Sequence, residues 1–359
     1  MISPLRCGVD TLEVTFAGKL PKDFVCGMLD KKTLAQGRDM PEEVMLGGEM
    51  FYLQPKGRGF YSLVCRNQDM EVLFGSAGLR YPMSVRFSAY GLARRGVDSL
   101  WRLAQQIASD VSCSPHNVSR IDVALDFQGW VPTFDEMRNT VCKADFRPVY
   151  PSADNPQTFQ FGKGDVVVRV YDKTQQARDC DKGWWVFIWR ICPGYDATLP
   201  IWRVEVQVRG TVLKELGLSS PTLLFEHLND VFDYGMRWAS LRVPGSDSNL
   251  SRCPEKPEWE ALRCSQPRSE PLPRVRQARR LAVYDSLVTR QRSLVVSAAL
   301  VLETDDFWRA ARQLTEDANL SIVPIRADED DMDKSRAAAD RRGFQKLLAD
   351  RRRKLSDEF

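Results

Sequence analysis

Histidine is nearly absent: His116 and His227 are the only two in 359 residues. So thin a supply argues against a His-rich zinc site and a His-based catalytic triad, and leaves no His-hydrophobe-His pair for a metal. Each histidine is read as structural. The nine cysteines include no CxxC pair, which argues against a zinc ribbon or a disulfide framework. No 18-residue apolar run occurs, and the opening MISPLRCGVDTLEVTF lacks the basic and then apolar regions of a signal peptide. The expectation is a cytoplasmic protein in a reducing compartment, with no membrane contact. Net charge is also small: 51 basic and 48 acidic residues give +3, so affinity for a polyanion would have to come from local clusters. No GxxxxGK[ST] phosphate loop is present.

What the chain does have is strand alternation. A hydrophobic content of 43% is enough for a sizeable core. Period-two patterns appear in DTLEVTF (10–16), GFYSLVCR (59–66), EVLFG (71–75), MSVRFSAY (83–90), SRIDVALDF (119–127), TFQFG (158–162), DVVVRVYDK (165–173) and IWRVEVQVRG (200–210). The glycines 162 and 164 read as a hairpin between two of them. Helical spacing places Val97, Leu100, Leu103, Ala104 and Ile107 on one face, and Thr133 with Glu136 reads as a capping box opening a second helix at TFDEMRNTVCKA. The fold class expected is α+β: a mostly antiparallel sheet with helices on one face and a free polar face, plus a helical C-terminal region. The boundaries read are 1–243 for the sheet domain, 244–273 for a Pro- and Ser-rich linker or meander, and 274–359 for a helical region of basic and acidic runs.

Alternation sends Ile121, Val123, Leu125 and Phe127 to one side of their strand, and Arg120, Asp122 and Asp126 to the other. By the same rule Arg169, Tyr171 and Lys173 share a face, as do Arg203, Glu205, Gln207 and Arg209. If the three strands are neighbours, these groups converge. Asp122, Asp126 and Glu205 would then offer the oxygen ligands that Mg²⁺ or Mn²⁺ prefers, with Tyr171 as nucleophile. Arg169, Lys173 and Arg203 would hold a phosphate or favour a phenolate. A half-exposed antiparallel sheet also alternates, and the same row fits a solvated face laced with weak ion pairs.

The ordered series GVDTLEVTF, SRIDVALDF, VVRVYDK and IWRVEVQVRG, over roughly residues 8 to 240, resembles the replication initiator family of rolling-circle plasmids, filamentous phages and integrative conjugative elements. That family is typified by staphylococcal plasmid initiators and includes relaxases. The resemblance implies a site-specific DNA nickase, a metal-dependent endonuclease and strand transferase that forms a 5′-phosphotyrosyl intermediate and frees a 3′-hydroxyl. The family's Tyr-x-Lys motif falls on Tyr171 and Lys173. Its Arg-hydrophobe-Asp and Arg-hydrophobe-Glu motifs put metal ligands at Asp122 and Glu205, and Asp126 matches a second acidic position. Residues 174–200 are longer and more aromatic than the family pattern.

The partners implied are origin DNA, duplex and single-stranded, with a host helicase and polymerase; re-nicking would draw on a second nucleophile, hence a homodimer. Arg120 and Arg209 on the sheet, and Arg276, Arg279 and Arg280 in the C-terminal region, are the candidate DNA contacts. Trp184, Trp185, Phe187, Trp189 and Arg190 are either a single-strand platform or a piece of core. A conjugative relaxase, a carboxylate-only metal nuclease and a non-catalytic DNA-binding regulator are the competing readings.

Overall fold

The computed structural model describes residues 2–266, apart from 77, 143, 145–148, 153 and 154, and a scatter of positions between 291 and 316. The chain divides into two units, Met1–Arg276 and Gln277–Phe359. In the second unit the described positions are largely helical. Arg276, Arg279, Arg280 and the acidic run at 327–333 lie outside the described residues.

The strands of the first unit are β1 (Ser3–Gly18), β2 (Glu42–Leu46), β3 (Glu49–Leu53), β4 (Leu63–Arg66), β5 (Met70–Phe74), β6 (Met83–Phe87), β7 (Cys113–Gln128), β8 (Thr140–Cys142), β9 (Val149–Ser152), β10 (Asn155–Phe161), β11 (Val166–Asp172), β12 (Trp202–Arg209) and β13 (Ala239–Leu241). Eleven of them form one sheet in the order β2-β3-β4-β5-β6-β1-β7-β12-β11-β10-β9, with every pairing antiparallel. The fold is therefore α+β, built on a large antiparallel sheet. Its centre is the pair of 16-residue strands β1 and β7. The three strands that carry the ionisable rows, β7, β12 and β11, are adjacent.

Helices α1 (Lys22–Arg38), α2 (Ala89–Arg95), α3 (Val97–Asp110), α4 (Phe134–Met137), α5 (Lys173–Asp179), α6 (Trp185–Arg190), α7 (Gly210–Glu215), α8 (Pro221–Glu226), α9 (Leu228–Trp238) and α10 (Pro257–Arg263) connect the strands. Leu100, Ala104 and Ile107 of α3, Val212 of α7 and Phe232 of α9 join Ile121, Val123, Val168, Val204 and Val206 in the main core, on one face of the sheet. Burying these branched side chains against the helices is the chief stabilising term. The capping box at Thr133 and Glu136 is formed, but its helix ends at Met137, because Thr140–Cys142 leaves to pair with β13. Within the 244–273 stretch, α10 places Trp259 and Leu262 in the same core, and the Trp259 indole donates to the Met236 carbonyl at 3.1 Å.

Two glycines are dictated by geometry. Gly162 turns the β10–β11 hairpin at φ 81°. Gly235 lets α9 lie directly on β12: a Cβ there would stand 2.1 Å from Val206 Cγ1. Gly235→Ala is expected to push α9 from the sheet and cost about 1–3 kcal/mol, read as a lowered urea midpoint. An unchanged midpoint would contradict this packing.

Candidate active site on the polar face of the sheet

Antiparallel register sets which groups meet. Arg203 of β12 stands opposite both Tyr171 of β11 and Asp126 of β7, and Glu205 stands opposite Arg169 and Ala124. Asp122 is paired with Gln207 and Thr11. On β1 the register slips between Val9 and Thr11, so Asp10 is an extra residue that points at the same cluster.

At the covered end, Arg203 is 2% exposed and holds Asp126 with two nitrogens, one contact being 2.9 Å from Nη2 to Oδ2. Its remaining nitrogen, Nη1, bonds Asp10. The Trp189 indole donates to Asp126 Oδ2 at 2.9 Å. Trp185 is stacked on Arg203, the guanidinium carbon 4.4 Å from the ring centroid, and Lys173 Nζ lies 4.9 Å from the same ring. Lys173 does lie beside Tyr171, its Nζ 5.6 Å from that ring's centroid, but as a helix residue and not a strand one. It opens α5, capped by the Asp172 side chain, and turns back under Trp185.

Tyr171, 8% exposed, donates its phenolic hydrogen to Glu205 Oε2 at 2.8 Å, and Arg169 Nη1 donates to Glu205 Oε1 at 3.0 Å. Burial, reinforced by the charge of Glu205, pushes the Tyr171 phenol well above its ordinary value of 10. This reverses the expectation that the neighbouring cations would favour a phenolate. Arg203 does pull the other way, but its charge is largely spent on Asp126 and Asp10. Burial, with Arg203 adding, brings Lys173 down to about 8. Burial works against charge on Asp10, yet Arg203 and Lys173 hold its carboxyl below the usual range.

The open end is a cleft of about 500 Å³ lined by Asp10, Arg86, Arg120, Asp122, Lys182 and Glu205, among others. Here Asp122 is chelated by Arg120, with Nε 2.8 Å from Oδ1. Burial, helped by Glu205, pushes Asp122 up to about 6 despite Arg120.

The expected cation on Asp122 and Glu205, with Asp126, finds no prepared ligand set. Both oxygens of Asp122 face Arg120, those of Glu205 face Tyr171 and Arg169, and those of Asp126 face Arg203 and Trp189. Among the described residues no three acidic, His or Cys side chains gather as metal ligands. The sheet brings together Tyr171, Arg169, Arg203, Glu205 and Asp126, with Lys173 beneath, and sets Arg120 and Asp122 on the cleft side. Arg209 is exposed, opposite Arg120. Sequence reasoning missed Asp10 and the contacts of Trp185 and Trp189. The signal for Asp10 was the change of apolar parity between Val9 and Leu12, which only a bulge reconciles. The polar face is thus not free throughout: Trp185 and Trp189 cover its end over β12, and Phe187 of the same helix is exposed.

Fold and site together define an α+β protein with a tyrosine–glutamate pair set among arginines on a sheet face. No protein-family model matches the chain. An uncharacterized protein, ORF430 of Pseudomonas phage Pf1, is 23% identical over 287 residues, covering 70% of this chain. The chain spans 60% of that relative's length. The solved structure of a rolling circle replication initiator protein from Geobacillus stearothermophilus is similar over 71% of this chain and 94% of that one, at 16% identity and a TM-score of 0.43. Among the described residues no helix is long and apolar enough to cross a membrane.

Arg203→Gln would leave Asp126 and Asp10 without their cation in a buried site. It is expected to destabilise the protein by about 3–5 kcal/mol in urea unfolding; stability equal to the parent's would contradict the role given to this pair.

Proposed function

We propose that the protein is a replication initiator that nicks its origin DNA through Tyr171, in the manner of the rolling-circle initiators its motifs resemble. The observation that carries the reading is the Tyr171 hydroxyl donating to Glu205 Oε2 at 2.8 Å, an alignment of nucleophile and base. The phenolic oxygen attacks the phosphorus of a phosphodiester, and its proton passes to Glu205. The bond from phosphorus to the 3′-oxygen breaks, and that oxygen takes the proton to become a 3′-hydroxyl. The product is a 5′-phosphotyrosyl ester that keeps the energy of the broken bond, and the reverse attack rejoins the strand. With the phenol held well above 10, Glu205 is the group that makes attack possible near neutral pH. Arg169, on the same carboxylate, is placed to offset charge growing on the phosphoryl oxygens. Replication initiator and conjugative relaxase share this chemistry; the phage source of the similar protein favours a phage or other mobile element as the replicon.

The burial of Tyr171, with Lys173 Nζ against both its ring and that of Trp185, favours a second reading, a DNA-binding regulator without catalysis. One experiment separates the two. Supercoiled DNA carrying the protein's own gene is incubated with the protein and Mg²⁺ or Mn²⁺, and denatured samples are assayed for protein attached to a nicked strand. The adduct is expected with the parent and absent with Tyr171→Phe, and Glu205→Gln is expected to slow its formation by roughly 10²–10⁴-fold. Nicking without adduct would make water the nucleophile, and binding without nicking would establish the regulator.

A further inference from the structure

One register row crosses most of the sheet. Tyr52 of β3 is paired with Arg66 of β4, Arg66 with Glu71 of β5, Glu71 with Arg86 of β6, Arg86 with Glu13 of β1, Glu13 with Arg120 of β7, and Arg120 with Arg209 of β12. Paired residues share a face, so all seven side chains lie on the polar face that carries Glu205. Six inter-strand steps of roughly 4.8 Å make the row about 29 Å long.

Its chemistry is not that of a neutral solvated face. Arg58, from the loop before β4, joins Arg66 on Glu71; Arg86 and Arg120 lie 3.4 Å and 4.0 Å from Glu13; Arg120 also holds Asp122. Four arginines thus meet three carboxylates, Arg209 opposite Arg120 adds a fifth positive charge, and the row keeps a positive surplus in spite of the chain's small net charge. Each glutamate sits between two arginines and holds their guanidinium groups in place, which lowers the ordering cost of binding a row of phosphates. The cleft beside Asp122 and Glu205 continues into a second hollow of about 590 Å³, the two sharing Arg66 and Asn67. That hollow is lined by Met50, Tyr52 and the ion-paired Asp69 and Arg94, among others, and Tyr52 is 45% exposed. An exposed phenol ring at the end of a basic row is a surface on which an unpaired base stacks and a paired one does not.

We infer that this row is a second nucleic-acid site, a track for single-stranded DNA running from Glu205 and Asp122 to Tyr52, with the Tyr52 ring as its stacking platform. The inference rests on the proposed DNA substrate but not on cleavage, and it carries the cleft of the Tyr171 site across β6, β5 and β4 to β3.

The test is equilibrium binding of the full chain carrying Tyr171→Phe to labelled oligothymidylates of graded length, read by fluorescence anisotropy. Affinity is expected to rise with length until a strand spans the row. Tyr52→Ala is expected to weaken the longer strands about tenfold or more while Tyr52→Phe retains them, since stacking needs the ring and not the hydroxyl. Arg66→Gln is expected to flatten the dependence on salt by about 0.7 in log–log slope, the loss of one single-strand phosphate contact. Tyr52→Ala binding like its parent would overturn the proposal, as would equal affinity for a duplex of the same length. Since Tyr171→Phe makes no adduct, a protein that binds through Tyr52 but never yields an adduct with Tyr171 present would sink the nickase reading alone. One that forms the adduct and ignores Tyr52 would sink the track alone.

Discussion

The ion pair between Arg203 and Asp126 is the constraint on which the rest of the site depends. Both side chains are almost wholly out of water, so each charge is tolerable only while the other stays in place. The pair recruits Asp10 from β1 and the Trp189 indole from α6, and so ties four elements of the fold to one guanidinium. Trp185 lies across that guanidinium as a roof, with Arg6 and Lys173 also against its ring. Strand pairing then leaves Tyr171 no choice of neighbour: opposite Arg203 and against Lys173, it finds Glu205 two residues along β12 as its acceptor.

The consequence is a site in two halves with opposite electrostatics. In the covered half the phenol is protected and held protonated, and the cations around it are spent on carboxylates. In the open half Asp122 and Glu205 line a cleft that also carries Arg58, Arg66, Arg86, Arg120 and Lys182. Glu205 belongs to both, touching Tyr171 behind and the cleft in front. A phosphate in the cleft would therefore lie against the carboxylate that accepts the Tyr171 hydrogen bond. The long charged row toward Tyr52 carries that cleft across the sheet, where preorganised guanidinium groups are cheaper to use than free ones.

Much of this was legible in the sequence, for one reason. Side-chain direction in a strand has a period of two, so SRIDVALDF, DVVVRVYDK and IWRVEVQVRG declare their faces without any tertiary knowledge. That placed Tyr171, Glu205, Arg203 and Asp126 on one surface and made the α+β sheet readable. What escaped is what breaks the period or lies outside it. Asp10 sits in a bulge, where alternation fails for one residue. Helix α1 buries chiefly Met28 and Ala35 and carries no clear apolar stripe, so 3.6-residue spacing had nothing to mark. The run Trp184 to Arg190 reads as apolar, and Trp185 and Trp189 do pack in an apolar cluster, but its length cannot say that Trp185 also meets three cations. Lys173 continues the strand's alternation on paper and begins a helix in fact, because Asp172 caps it.

The central claim is that Tyr171 becomes covalently joined to DNA. The most direct measurement is mass spectrometry of the protein after reaction with DNA carrying its own gene, nuclease trimming and proteolysis, to find the peptide that bears a nucleotide. The account predicts a 5′-nucleotide phosphoester on Tyr171. A nucleotide on any other residue, or none on a protein that has cut its DNA, would contradict it.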